Sequence, residues 1–379
     1  MIYFDNAATS FPKPTAVGDA MARFLTDAAA NPGRSGYRMA IDVERRLDAL
    51  RLRLTRLVGG DDPSRLIFAF NGTDALNMAI KGVLDTLPGQ PHVITTELEH
   101  NSVLRPLQAR ADANRITLTL VEGDDQGFVD PLHVANALTD ATRLVVMTHA
   151  SNVTGTIQNI AQVGQTVRDH GALFCVDAAQ TLGLVPMDVS AMAVDLLAFP
   201  GHKALLGPTG TGGLYVGSRV KTIAPWREGG TGEDSASPTQ PTQWPAQLEA
   251  GTPNTAGLIG LAAALDQEVP RDLSHEQLLR RLLVDALQDD DRFVLLGPRD
   301  SQRCVGTLSF NVQGMDSADV AAILDQSFGI AVRSGLHCAP QIHRRLGTFP
   351  HGAVRVSAGR FNTEAQVDQL IDALKQIAG

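Results

Sequence analysis

Cysteine, aromatic residues and positive charge are all scarce in this chain, and each scarcity excludes something. Three cysteines occur among 379 residues, Cys175, Cys304 and Cys338. An odd, sparse set argues against a disulfide framework and for a reducing compartment. Aromatics make up 5%, and 32 Lys+Arg stand against 41 Asp+Glu for a net charge of −9. A nucleic-acid binder needs a basic face with stacking platforms, so that class is excluded. A local positive site for a small anion remains compatible with an acidic protein. The first residues, Met1-Ile2-Tyr3-Phe4-Asp5-Asn6, have neither the basic start nor the apolar run of a signal peptide. No stretch approaches the roughly 18 uninterrupted apolar residues of a membrane span. The expectation is a soluble cytoplasmic protein with no membrane and no nucleic-acid partner.

What is present is a core-forming share of hydrophobic residues, 44%, with 35 glycines and 20 prolines. The length predicts two or three domains, or one large α/β unit with a smaller one appended. Short apolar runs at Leu66 to Phe70, His92 to Thr96, Ile116 to Val121, Leu144 to Thr148, Ala172 to Val176, Leu196 to Phe199 and Gly213 to Val216 read as strands, mostly separated by helix-length segments. This alternation predicts a mainly parallel seven-stranded sheet with helices on both faces, whose ligand sits at the carboxyl ends of the strands. From Thr222 to Thr255 the pattern breaks into glycine, proline, Trp226 and Trp244, the composition of a functional loop or interface arm. Beyond it, helices at Gly257 to Gln267 and Ser274 to Leu287 and strands at Phe293 to Leu296, Gly306 to Val312, Ala331 to Arg333 and Ala353 to Ser357 predict a smaller α+β domain. A last helix buries Val367, Leu370, Ile371, Leu374 and Ile377 on one face.

The sharpest motif is Phe199-Pro200-Gly201-His202-Lys203, followed by Gly207-Pro208-Thr209-Gly210-Thr211-Gly212-Gly213. A lysine just past an apolar strand, beside glycines that allow close approach, is what an imine-forming site requires, because the amine must be partly desolvated to act as a nucleophile. The plain alternative is a surface lysine in a glycine-rich loop. Upstream, the apolar run Ala172 to Val176 leads straight into Asp177-Ala178-Ala179-Gln180. A carboxylate at the end of a buried strand needs a cation or a set of donors. A pyridinium N–H meets that need and would keep pyridoxal phosphate an electron sink; a helix cap is the competing account. Asn71-Gly72-Thr73-Asp74-Ala75 follows a strand and opens a helix, where N–H groups and a hydroxyl receive a phosphate or simply cap the helix. Thr96-Glu97-Leu98-Glu99-His100-Asn101 also follows a strand, and its histidine suits stacking on a flat ring, proton transfer, or a structural role.

In order along the chain, these motifs, with His149-Ala150-Ser151-Asn152-Val153-Thr154-Gly155-Thr156 between them, resemble the pyridoxal-phosphate enzymes of fold type I in the class V aminotransferase group. The nearest likeness is to the cysteine desulfurase and selenocysteine lyase branch. The resemblance runs from Asp5-Asn6-Ala7-Ala8-Thr9 to Arg355-Val356-Ser357, and is narrowed by Glu249-Ala250-Gly251-Thr252-Pro253-Asn254-Thr255 and by the short cysteine loop Arg333-Ser334-Gly335-Leu336-His337-Cys338-Ala339. It implies a large cofactor-binding domain over residues 15–255, and a small α+β domain made of 1–14 and 256–379.

The resemblance further implies Lys203 as the cofactor-bearing lysine and proton shuttle, Asp177 on the pyridine nitrogen, Gln180 near the ring hydroxyl and His100 stacked on the ring. Thr73, Asp74 and His202 fall in the phosphate region, joined by Thr252 of a second subunit in a homodimer. Asn152 and Arg355, with Ala8 and Tyr37, fall at the substrate, Arg355 as the carboxylate clamp. Cys338 would take sulfur from L-cysteine as a persulfide and hand it to an acceptor protein, with Arg333 and His337 as cations favouring its thiolate. Cys175 and Cys304 are expected to be structural, and no metal is expected, since Cys338 and His343 make only half a zinc site. Two positions depart from the pattern: Pro200 replaces the usual hydroxyl residue, and Tyr37 stands where histidine is common. The alternative within the group is a lyase, epimerase or aminotransferase acting on selenocysteine or another amino acid, with Cys338 incidental.

Overall fold

The computed structural model describes residues 1–33, 36–232, 236–267 and 272–379. All seven expected strands form one sheet: β1 (Leu66–Ala69), β2 (His92–Thr96), β3 (Thr117–Val121), β4 (Thr142–Thr148), β5 (Leu173–Asp177), β6 (Leu196–Pro200) and β7 (Gly212–Val216). Their order is β1-β7-β6-β5-β4-β2-β3. Only β7 runs antiparallel to its neighbours. Strands buried on both faces read as nearly continuous apolar runs, and their side chains alternate between two cores. Val145, Met147, Phe174, Val176, Leu197 and Phe199 enter one; Val146, Cys175, Leu196 and Ala198 enter the other. Asp177 proves to be the last residue of β5, one position beyond the expected run.

Helices cover both faces. Gly72–Leu84 buries Leu76, Met78, Ile80 and Val83 against one side. Arg38–Leu57 and Ile160–His170 cover the other. The helix after the long loop spans Thr255–Leu265, and its Leu258, Ile259, Leu261 and Leu265 join the core of the large sheet. A boundary at residue 255 therefore falls within that packing. The loop contains no helix or strand among its described residues. It is pinned by Glu249, which accepts from both terminal nitrogens of Arg51, at 2.7 and 2.9 Å, and from the Phe68 N–H at 2.6 Å.

The smaller sheet holds β8 (Phe293–Leu296), β9 (Thr307–Val312), β10 (Arg333–Gly335) and β11 (Ala353–Ser357), antiparallel in the order β10-β11-β9-β8. The run expected as one strand at Ala331 to Arg333 is split. Ile330–Ala331 pairs with Ile2–Tyr3, whereas Arg333 begins β10. Phe4 joins Leu283, Phe310, Leu324, Leu370 and Leu374 in the core of this sheet. Pairing sets Arg333 directly opposite Arg355. Like charges in that relation repel and need a counter-anion.

Candidate active site

The polar motifs singled out between Asn71 and Lys203 all leave strands of the large sheet at their carboxyl ends. There, β11 of the small sheet closes a cavity of about 210 Å³. Its lining includes Ala8, Thr73, His100, Asn152, Asp177, Gln180, His202, Lys203 and Arg355, nine of the expected site residues, together with Ser102, Thr148 and Arg333.

Lys203 follows β6 through a chain reversal that needs glycine. A β-carbon at Gly201 would lie 2.3 Å from Thr211 Oγ1. The peptide next to the lysine is clamped by the N-terminal segment: the His202 carbonyl accepts from the Ser10 N–H, Thr9 Oγ1 and Lys13 Nζ, the last at 2.6 Å. Burial pushes the Lys203 amine down to about 8, with Asp177 opposing the shift and Arg355 and Arg333 adding to it. Asp177 is 4% exposed and accepts the Ala179 N–H at 2.9 Å. Burial raises its pKa, against that bond and Lys203. The Gln180 amide donates to the Ala7 carbonyl at 3.2 Å.

His100 caps the helix Asn101–Asp112, its Nδ1 accepting the Ser102 N–H at 3.0 Å. An acceptor Nδ1 leaves Nε2 to carry the proton of the neutral ring. Burial, then Lys203 and three arginines, hold its pKa down at about 4, so the ring is uncharged at neutral pH. The Ser102 hydroxyl lies 2.8 Å from Nδ1 and 2.7 Å from Thr73 Oγ1. Ser102 escaped sequence reasoning, although a hydroxyl two residues after a capping histidine is a local signal. His202 is also neutral, lowered to about 4 chiefly by burial, and its Nδ1 is buried without a partner.

Arg355 is wholly buried in β11. One Nη donates to Asp5 Oδ1 at 2.6 Å and the other to the Asn152 carbonyl at 3.1 Å, while Nε has no partner. Asp5 is thus the counter-anion for Arg355, in a role that no single motif displayed. Glu99 is likewise fully buried; one oxygen accepts from Thr96 Oγ1 at 2.6 Å and the Thr148 N–H at 3.0 Å. Desolvation raises its pKa to about 8.

Cys338 stands beside the cavity. Its carbonyl accepts the Asn101 N–H at 2.7 Å, the preceding His337 carbonyl accepts from Asn152 Nδ2 at 2.7 Å, and Arg333 Nη2 lies 3.5 Å from Sγ. His337 and Cys338 both take left-handed backbone, φ 50° and 58°, which costs a residue with a β-carbon about 1–2 kcal/mol. His337 cannot serve as a cation for the thiol: it is 2% exposed, both ring nitrogens lack partners, and burial lowers its pKa to about 2. Arg333 is the cation that reaches the sulfur. Cys175 and Cys304 are fully buried, as a structural role requires.

Besides Cys338 at its side, three expected residues are not brought into this cavity. Asp74 gives its N–H to the Asn71 cap at 2.8 Å, and burial raises the pKa of its carboxyl group against Arg227 and the Phe70 N–H. Tyr37 is 52% exposed, and Thr252 is also exposed. Gly251 and Pro253, on either side of Thr252, line a second cavity of about 580 Å³ with Gly33 and the Arg51–Glu249 pair. That larger cavity contains neither Lys203 nor any cysteine.

The family model for aminotransferase class-V matches residues 2–370. The chain belongs to the class-V aminotransferase family. A relative from Methanothermobacter thermautotrophicus named a probable cysteine desulfurase is 36% identical, over all of this chain and 95% of its own length. A cysteine desulfurase of Salmonella dublin is 32% identical over all of this chain and 93% of its own. Among solved structures, the apo cysteine desulfurase of Thermococcus onnurineus superposes with a TM-score of 0.92 at 33% identity, covering 100% of this chain and 94% of that one. A cysteine desulfurase of Escherichia coli, in an S-sulfonic acid form, gives 0.88 at 31% identity over 99% and 94%. The fold is that of these class-V enzymes, as the sequence implied.

Proposed function

We propose that this protein is a pyridoxal-phosphate-dependent cysteine desulfurase that converts L-cysteine to L-alanine and collects the sulfur on Cys338. One observation carries the reading: the cysteine loop is bonded through two successive carbonyls to Asn152, on the wall of the cavity holding Lys203, and to Asn101, between the wall residues His100 and Ser102. The donor set suits the cofactor. Asp177 is a buried acid short of donors, Lys203 is a desolvated amine, and Thr73, Ser102 and the unpartnered His202 Nδ1 offer hydroxyl and imidazole contacts for a phosphate. When bound, the cofactor supplies an electron sink for the amino acid.

The chain's own residues do the rest. Arg355, held by Asp5, presents its guanidinium to the substrate carboxylate, and Asn152 orients it. Lys203 holds and delivers the proton, and Asp177 keeps the ring nitrogen protonated. The Cys338 thiolate forms a bond to the substrate sulfur as the carbon–sulfur bond breaks; that bonding pair stays with carbon, which takes a proton and leaves as alanine. Thr252 and Tyr37, exposed and outside their own chain's cavity, complete the site of a second subunit in a homodimer. The small domain begins after Leu265, and the persulfide passes to an acceptor protein in the cytoplasm. No described helix is long and apolar enough to cross a membrane. The test is alanine and sulfide release from cysteine, with and without reductant, for wild type and Cys338→Ala. Loss of both products in the variant is expected; undiminished alanine from cysteine sinks the reading. Selenocysteine assayed in parallel separates a lyase.

A further inference from the structure

Cys338 is partly exposed, whereas Cys175 and Cys304 are closed off in the core. Its loop holds a backbone that contacts must enforce, two successive left-handed residues that both carry β-carbons. One enforcing contact is the Asn101 N–H, a donor of the first helical turn with no partner inside its helix. The other is the Asn152 side chain, whose Nδ2 meets the His337 carbonyl. Asn152 is 8% exposed, lines the cavity, and gives its own carbonyl to Arg355. One amide therefore stands between the buried guanidinium and the loop that carries the thiol.

A carboxylate entering beside Arg355 is a stronger acceptor for that amide than a peptide carbonyl is. We propose that Asn152 is a positioning residue for Cys338. It latches the cysteine loop while no carboxylate occupies the cavity, and it releases the thiol when its N–H exchanges the His337 carbonyl for a ligand carboxylate. The latch rests on these contacts; that the carboxylate belongs to an amino acid rests on the function proposed above.

The experiment is the rate at which iodoacetamide alkylates Cys338 in the holoenzyme, read by mass spectrometry of the Cys338 peptide. Asn152→Ala removes the donor, and Asn152→Asp replaces it with an acceptor of the same size. Losing one hydrogen bond of ordinary strength should raise the rate about 5- to 10-fold in both. Saturating L-alanine, a carboxylate probe without a thiol, should raise the wild-type rate toward that level and leave both variants unchanged. Wild-type rates in both variants overturn the proposal whatever the probe does. Fast variants with an inert probe support the tether and overturn the amino-acid ligand on which the release rests. Cys175 and Cys304 are the internal control: they stay unlabelled in a folded variant. If they react, the wild-type arm with alanine decides.

Discussion

Replacing Glu99 by glutamine should make the protein progressively more stable relative to wild type as the pH rises. Glu99 is completely buried; one of its oxygens takes two donors and the other has none. Burial raises its pKa from 4.5 to about 8. Between those values the unfolded chain has lost the proton and the folded chain keeps it, so stability falls as pH rises through this window and levels off above it. The slope is about 1.4 kcal/mol per pH unit. From about pH 6 to about pH 8.5 the loss attributable to Glu99 comes to about 2–3 kcal/mol. Glutamine keeps an oxygen for Thr96 and for the Thr148 N–H and does not titrate. Its amide nitrogen brings its own burial cost, which is the same at both pH values and cancels from the comparison. Urea unfolding of both proteins, followed by circular dichroism, measures the difference. The advantage of Glu99→Gln should grow by about 2–3 kcal/mol across the interval. An advantage constant to within about 0.5 kcal/mol would falsify the assignment of a neutral, buried acid.

Other measurements probe the site directly. Asp5→Asn removes the anion that holds Arg355 and should raise KM for cysteine about tenfold, with a smaller effect on kcat, since a hydrogen bond to a charged group is worth about 1.5–3 kcal/mol; an unchanged KM means that Arg355 is held without Asp5. Because Lys203 reacts as the free amine and burial sets its pKa near 8, pyridoxal phosphate capture by the apoprotein should accelerate about tenfold per pH unit below that value and flatten above it. Absorbance after mixing tests this, and acceleration continuing to pH 10, as for an ordinary lysine, refutes the desolvated amine. Gly352→Ala would set a β-carbon 2.1 Å from the Gly335 carbonyl carbon, on the strand leading into the cysteine loop. Desulfuration should fall steeply while Lys203 still takes up cofactor, and normal turnover would show that the loop tolerates displacement.

Much of this protein was legible in one dimension because its information is local. Each parallel strand announces itself as a short apolar run. The residues that follow, Asn71 to Thr73, His100, Asp177 and Lys203, must reach the carboxyl edge of the sheet wherever the strands end. Seven strands and the cavity residues that follow them were therefore within reach of motif and spacing, whereas Ala8, Asn152 and Arg355 came through the family resemblance. What only the tertiary structure decided depends on partners distant in sequence and on burial. Asp5 meets Arg355 across 350 residues, a pairing no local pattern encodes. Asp74 sits in the right motif yet does not line the cavity. His337, beside the cysteine and cationic on paper, is stripped of its charge by desolvation, which leaves that work to Arg333. Sequence sets which groups a chain owns; whether a group is charged, and which neighbour it holds, is set by the dielectric and the contacts that packing creates.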